Sequence, residues 1–223
     1  MDITFCGIDP SLRGTAMTVI DSKNKLLESK LIKSTNEKFE REMDERIETI
    51  RIIGSRVYMF VKRYEPQYIC IENFSFGSRN SLPIQGMVTG CILNSIRDTF
   101  SEDYQPFIIM PSPISVKMFA ANSNSAKKDL ILLNVYKRFG QSFDDDNLAD
   151  SYVLTQMARC IYFIDNELMN LFRHGNKITI GKEVFELHIK NIMKKGGYKK
   201  AEIERVLKID KMEKNIKKLR IRK

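Results

Sequence analysis

The sequence predicts an α/β domain, a five-stranded mixed sheet flanked by helices, with a basic helical C-terminal extension. Three observations carry this prediction. Short strand-like runs fill the first 33 residues, and a long amphipathic helix separates them from a nearly continuous apolar run. A late helix then opens on a cluster of acids. The 223 residues are enough for one core-forming domain with an appendage. The expected division is 1–165 for the α/β domain and 166–223 for the extension.

The first strand holds Ile3 and Phe5 and ends at Gly7-Ile8-Asp9. A turn through Pro10, Ser11 and Gly14 leads into a second strand, Ala16 to Ile20, so the two form a hairpin. A carboxylate in such a strand is costly to bury unless it is paired or holds a metal. After the turn Asp21-Ser22-Lys23-Asn24, Lys25 to Ile32 alternates as a third strand. A helix follows from Asn36 to Tyr64, with Phe39, Met43, Ile47, Ile50, Val57, Val61 and Tyr64 at helical steps, and Pro66 stops it. Gln67 to Ile71 suits a strand buried on both faces and ends at a second acid, Glu72.

The loop Asn73 to Ser81 carries Phe74 and Phe76. Leu82 to Phe100 reads as a helix whose Gly86 and Gly90 would let it lie close against a neighbouring element. Phe107 to Met110 is the last strand, closed by Pro111-Ser112-Pro113, and helices are expected over Ile114 to Ala121 and Asp129 to Phe139. Gly140 ends the latter. Asp144, Asp145 and Asp146 then lead into a final helix with an apolar face of Tyr152, Val153, Met157 and Ile161. Asp146 and Asp150, four apart, share one side of it with Asn147.

Charge is unevenly placed. From His174 onward 16 Lys and Arg face 6 Asp and Glu, whereas the remaining 21 and 22 nearly cancel, so the net charge of +9 resides in the tail. That points to a polyanionic partner contacted there; a merely soluble lysine-rich tail is the plain alternative. Cys6, Cys70, Cys91 and Cys160 are scattered among apolar neighbours with no CxxC pair, which suits reduced thiols and excludes a zinc site. His174 and His188 are expected to play no part in chemistry. No apolar run reaches the length of a membrane helix and no secretory signature opens the chain, so a cytoplasmic, intracellular location is expected.

The acids thus stand at one strand end (Asp9), a second strand end (Glu72) and the front of a late helix (Asp146, Asp150). They converge if the two strands are neighbours. Clustered carboxylates repel one another, and a fold tolerates them when divalent cations neutralise the charge. Oxygen-only ligands suit Mg²⁺ or Mn²⁺, and two such ions support phosphodiester hydrolysis. Helix capping is the plain alternative for Asp146 and Asp150. Lys127 and Lys128 begin a helix, where a cation is unfavourable unless an anion lies beside it, so phosphate contact is expected.

Gly7-Ile8-Asp9-Pro10, Ile71-Glu72 before an aromatic loop, and Ala149-Asp150-Ser151 together resemble the RuvC family of Holliday-junction resolvases, as do Val116-Lys117 and Ser125-Ala126 before Lys127-Lys128. The likeness runs from about residue 2 to 163. It implies an RNase H-like fold and a metal-dependent endonuclease, a homodimer that makes paired nicks in four-way DNA. A phage- or virus-encoded member is the kind expected. On that resemblance Asp9, Glu72 and Asp150 would be metal ligands, and Lys117 and Lys128 would contact phosphate near the scissile bond. Phe74 or Phe76 would probe unpaired bases, with Arg13, Arg79 and Lys127 as further DNA contacts. The family pattern has an acid or histidine three residues before the last aspartate, where this chain has Asn147. Either Asp146, one place earlier, or the Asn147 amide oxygen would complete the site; Asp146 is favoured. Ser75 falls between Phe74 and Phe76 where the probing aromatic is expected.

Rival readings are a broader nuclease of flaps, forks or R-loops and a catalytically weak junction-binding protein. A sugar-kinase or actin-like ATPase would also open on a strand, an aspartate and a Gly/Thr turn. It needs a second glycine-rich phosphate loop, which this chain lacks.

Overall fold

A computed structural model describes residues 3–33, 43–74, 82–172 and 190–206. Phe76, Arg79, His174, His188 and the expected start of the first helix lie outside these residues. The chain divides into two compact units, 1–156 and 157–223.

In the first unit, β1 (Thr4–Asp9), β2 (Gly14–Asp21) and β3 (Leu26–Lys33) form an antiparallel meander. The helix α1 (Met43–Tyr64) returns the chain to β4 (Tyr68–Ile71). Helix α2 (Leu82–Arg97) then leads to β5 (Phe107–Ile109). The sheet order is β3-β2-β1-β4-β5, with β4 parallel to β1 and β5 parallel to β4. The predicted five-stranded mixed sheet flanked by helices is what forms.

Alternation along the strands decides the two faces. Cys6 and Ile8 of β1, Met17 and Val19 of β2, and Ile69 and Ile71 of β4 pack in one apolar core. Ile53, Val57 and Val61 of α1 and Val88, Ile92 and Ile96 of α2 complete it. The chain leaves α1 at Glu65, which takes a positive φ of 41° just before Pro66.

The opposite face is covered by α5 (Asp146–Phe172), which follows α3 (Pro113–Ala121) and α4 (Lys128–Phe139). Polar and small residues make this contact. Ser151 Oγ lies 2.7 Å from Thr18 Oγ1, and the Thr155 hydroxyl donates to the Thr18 carbonyl at 3.0 Å. Gly7 pairs with Thr18 in the sheet. A Cβ on Gly7 would stand 2.0 Å from the Ser151 carbonyl oxygen and 2.4 Å from the Thr155 nitrogen. The helix therefore rests on bare backbone.

The glycines expected to allow close packing, Gly86 and Gly90 of α2, meet nothing within 4 Å among the described residues. The close approach instead belongs to Gly54 of α1, where a Cβ would come within 2.6 Å of Cys91 Sγ. Periodicity marks small residues on a helix but not which helix turns its small residues inward. The four cysteines are free thiols, three buried and Cys91 half-buried.

In the second unit, Arg159 organises the packing. Its guanidinium stacks 4.8 Å from the Phe163 ring and 5.8 Å from that of Tyr198, and donates to the Gly196 carbonyl at 3.0 Å. Helices cover 190–196 and 200–206, and the Lys199 amide donates to Glu202 Oε2 at the start of the latter. Among the described residues no helix is long and apolar enough to cross a membrane.

Gly7→Ala should destabilise the protein by about 3 kcal/mol or more, because backbone atoms must move to admit the methyl group. Gly90→Ala, in a helix with open space at that position, should stabilise it by about 0.5–1 kcal/mol. Urea denaturation of the two variants checks both signs.

Candidate active site

Register brings the first two acids together. Ile8 pairs with Ile71 across the parallel β1–β4 ladder, and the Glu72 amide continues it by donating to the Ile8 carbonyl at 3.1 Å. Asp9 lies two residues beyond Gly7 and Glu72 two beyond Cys70, so both fall on the face that α5 covers. The Asp9 side chain is only 9% exposed. Beyond Glu72, the Asn73 amide donates to the Pro111 carbonyl at 2.9 Å, and Phe74 sits half-buried at the start of the loop.

The third acid arrives on α5. Asp145 caps that helix: its Oδ1 accepts from the Asn147 amide at 3.0 Å and its carbonyl from Ala149 at 3.2 Å. Capping was the plain alternative considered for Asp146 and Asp150, and the neighbouring acid performs it. Asp150 stands one residue before Ser151 and is therefore carried over β1 by the contact at Gly7. Asp146 accepts a hydrogen bond and ion pair from Lys128 at the start of α4. Asn147 reaches to the β1–β2 turn, its Nδ2 3.1 Å from where a Gly14 Cβ would stand.

The electrostatics confirm one shared field. Burial and then the charges of Glu72, Asp150 and Asp146 push the Asp9 carboxyl well above the usual carboxylate range. Burial and then Asp150 push Glu72 up to about 7, against the pull of Lys117 and a hydrogen bond with Asp9. Asp150 rises to about 6 through burial and then Asp146, with Lys128 and Lys117 opposing. Near neutral pH Asp9 and Glu72 therefore hold on to protons that they would lose in water, while Asp150 does so only in mildly acidic solution.

Two lysines complete the site. Lys117 lies on α3, whose N-terminus is capped by Ser112 and opened by Pro113. Arg138 of α4 donates to the Phe119 and Ala120 carbonyls at 3.0 and 3.3 Å, fastening α3 to α4. Tyr152 of α5 packs against the rings of Phe139 and Phe143, which ties that pair to α5. Lys127 is the exposed N-cap of α4, with no side-chain cap bond. The anion beside Lys128 within this chain is the Asp146 carboxylate, which also holds the ammonium in its charged form.

The donor set fits a hard divalent cation by its chemistry: it is all oxygen, crowded, and proton-retaining for want of positive charge. As the side chains stand, no three Asp, Glu, His or Cys residues among those described are gathered around one point as an ion would hold them.

Asp9 and Glu72 open onto a groove of about 570 Å³ that is also lined by Arg13, Arg46, Gln85 and Asn147. Arg46 and Gln85 are absent from the sequence prediction. In the sequence, Arg46 is one more charge on a helix rich in charges, and Gln85 a single amide in an apolar segment, so neither carries a signal.

The chain matches no family model and no curated protein. Among solved structures it superposes on a Thermus thermophilus RuvC structure with a TM-score of 0.57 at 20% identity, over 74% of this chain and 96% of that one. It superposes on T. thermophilus RuvC in complex with Holliday junction substrate with a TM-score of 0.56, also at 20% identity, over 73% and 94%. The fold is thus the RNase H-like fold seen in RuvC, as the sequence motifs implied.

A carboxyl whose pKa is raised by folding contributes stability below its unfolded pKa and loses it as pH rises through the folded value. Metal-free protein should therefore lose stability between about pH 4 and pH 7.5. Glu72→Gln should flatten that slope and exceed wild type at pH 8 by about 2 kcal/mol, the difference vanishing near pH 4. Urea titrations in EDTA at several pH values measure it; a wild type that gains stability towards pH 8 would contradict the shared field.

Proposed function

We propose that this chain is a metal-dependent, structure-selective DNA endonuclease that resolves four-way junctions by paired nicks. The observation that carries the reading is the convergence of Asp9, Glu72 and Asp150 at one end of an RNase H-like sheet, with Lys117 and Lys128 beside them. A solved structure of the same fold is a complex with Holliday junction substrate, which favours branched DNA as the substrate class. Paired nicks need two active sites, which a twofold homodimer supplies.

Asp9, Glu72 and Asp150 would hold the metal, with Asp146 as the favoured fourth ligand and Asn147 as the alternative. Two Mg²⁺ or Mn²⁺ ions bound there would supply an activated water and neutralise charge on the phosphate. The chain's own residues do the rest. The carboxylates give up their retained protons as cations arrive, so binding strengthens as pH rises. Lys117, half-buried and close enough to lower the pKa values of Glu72 and Asp150, and Lys128 hold the phosphodiester in place and offset its charge. Lys128 exchanges its Asp146 partner for phosphate, which frees Asp146 to turn to the metal. Phe74, with Phe76, would meet unpaired bases at the junction, and Arg13, Arg79 and Lys127 the phosphates nearby. These contacts to phosphate carry no base information, so selectivity here is for shape.

A labelled four-way junction should be cut symmetrically with Mg²⁺ or Mn²⁺ and left intact in EDTA. Asp9→Asn, Glu72→Gln and Asp150→Asn should each lower the rate at least about a hundredfold. Asp146→Asn should lower it similarly if that side chain completes the metal site. Equal cutting of flaps and forks would indicate a general branched-DNA nuclease, and no metal-dependent cutting of any substrate would leave a binding protein.

The basic extension over 166–223 is proposed to contact the DNA arms. Removing 174–223 should make junction affinity less steeply dependent on salt. An unchanged slope would assign the segment to oligomerisation or partner docking.

A further inference from the structure

We infer that Thr18 is a positioning residue for the metal-binding acids. Through a one-way chain of hydroxyls that begins at Ser29, it sets the rotation of α5 and so where Asp150 stands. This rests on the nuclease reading above and adds to it two side chains outside the cluster of acids.

The burial pattern of α5 leaves its rotation undetermined. Ser151, Tyr152, Val153, Leu154, Thr155 and Gln156 are all buried, a stretch longer than one helical turn, so every side of the helix is enclosed. A surface helix is oriented by its apolar stripe, and here the buried stripe widens to the whole circumference. Rotating α5 by a single residue, about 100°, would exchange one buried side for another yet carry Asp150 away from Asp9. Directional bonds distinguish one rotation from the next, and they meet at Thr18. Thr18 of β2 pairs with Gly7 of β1 on one side and with Ser29 of β3 on the other, so the three form one row across the sheet. Asp9 lies one pleat repeat further along β1, about 7 Å away, on the same face.

The direction of the chain follows from its protons, because each hydroxyl has one to donate. Ser151 donates its own to the Leu148 carbonyl at 2.8 Å, so Thr18 is the donor in the 2.7 Å contact between the two hydroxyls. Thr18 then has no proton left for Ser29, and Ser29 is the donor in their 3.1 Å contact. The chain thus runs from Ser29 through Thr18 to Ser151 and ends on the α5 backbone at Leu148, between Asp146 and Asp150. Thr18 and Ser151 are fully buried, whereas Ser29 is half-buried, so water can stand in for a lost partner only at the Ser29 end. Valine at position 18 keeps the shape and strand preference of threonine but leaves Ser151 without its donor, and serine keeps the donor. A separate tie holds α5 further on: Gln156 Nε2 donates to Asn24 Oδ1 at 2.6 Å. Asn24 lies beyond the end of β2 opposite to Ala16, the partner of Asp9.

The test titrates Mn²⁺ calorimetrically into full-length protein without DNA. Wild type is compared with Thr18→Val, Thr18→Ser, Ser29→Ala and Asn24→Gly, each first shown by thermal unfolding to be folded at the assay temperature. Thr18→Val should weaken Mn²⁺ binding about tenfold, the scale seen when an outer partner of a metal site is lost. Thr18→Ser should bind as wild type does, and Ser29→Ala, on a strand that carries none of the clustered acids, should weaken binding by less than Thr18→Val. Asn24→Gly suits the positive φ of that turn and removes only the separate tie, so it should leave binding unchanged. In junction cleavage, Thr18→Val should raise the half-saturating Mn²⁺ concentration while the rate at saturating Mn²⁺ stays near that of wild type. Loss of stability alone would not give that split. Wild-type affinity in Thr18→Val overturns the positioning role, as does equal weakening in Thr18→Ser or Asn24→Gly. If Thr18→Val does not fold, Ser29→Ala decides, and wild-type affinity in that variant overturns the role. Each of these outcomes leaves the nuclease reading standing. Wild type that binds no Mn²⁺ and cuts no branched DNA overturns the nuclease reading itself, and the positioning role with it.

Discussion

The site depends on one contact in which a side chain is missing. At Gly7 the backbone of α5 lies so near β1 that even a methyl group would overlap the Ser151 carbonyl. Hydrogen bonds fix the approach: Thr155 donates to the Thr18 carbonyl, and the Ser151 and Thr18 hydroxyls pair. Directional bonds of this kind set helix rotation as well as distance. Asp150, adjacent to Ser151, is consequently delivered to the same strand end as Asp9. A larger residue at position 7 would lift the helix and separate the acids.

The carboxylates are then left in mutual tension by a frame that cannot relax. Asp9 is buried at the end of a central strand, and Glu72 is held by the amide bond that extends the parallel ladder. Their backbones cannot separate without breaking this pairing. Proton retention is the response open to the protein alone, and it makes the cluster a strong attractor of multivalent positive charge. Under the proposed metal binding, the energy lost in assembling like charges would be recovered as cations bind, and occupancy of the site would be coupled to the stability of the fold.

Positive charge is managed by a separate mechanical unit. Arg138 joins the end of α3 to α4, and Tyr152 anchors α4 through Phe139 to α5, so Lys117 and Lys128 move with the helix that carries Asp150. Lys117 is half-buried, whereas Lys128 is largely exposed and engages Asp146. The two lysines thus differ in exposure. That difference would suit the proposed binding of a polyanion beside a cluster of acids.

Much of this was legible in the chain. Period-two and period-3.6 patterns mark the five strands and the helices, because burial on one face imposes those repeats on the sequence itself. Asp9, Glu72 and Asp150 stand out because an acid at the end of an apolar run conflicts with its surroundings, and such conflict is visible locally. What the sequence could not determine is which elements meet. Gly86 and Gly90 have the spacing of contact points, yet close approaches occur at Gly7 and Gly54, because proximity depends on how a helix is turned toward its neighbour. The sequence favours Asp146 as a metal ligand, and in the folded chain its partner is Lys128, 18 residues away. Arg46 and Gln85 share one groove although 39 positions separate them, and nothing in either local context predicts it. Local pattern records whether a residue is buried, since burial acts on each position alone; the company it keeps there is a property of three-dimensional packing, which only the tertiary structure decides.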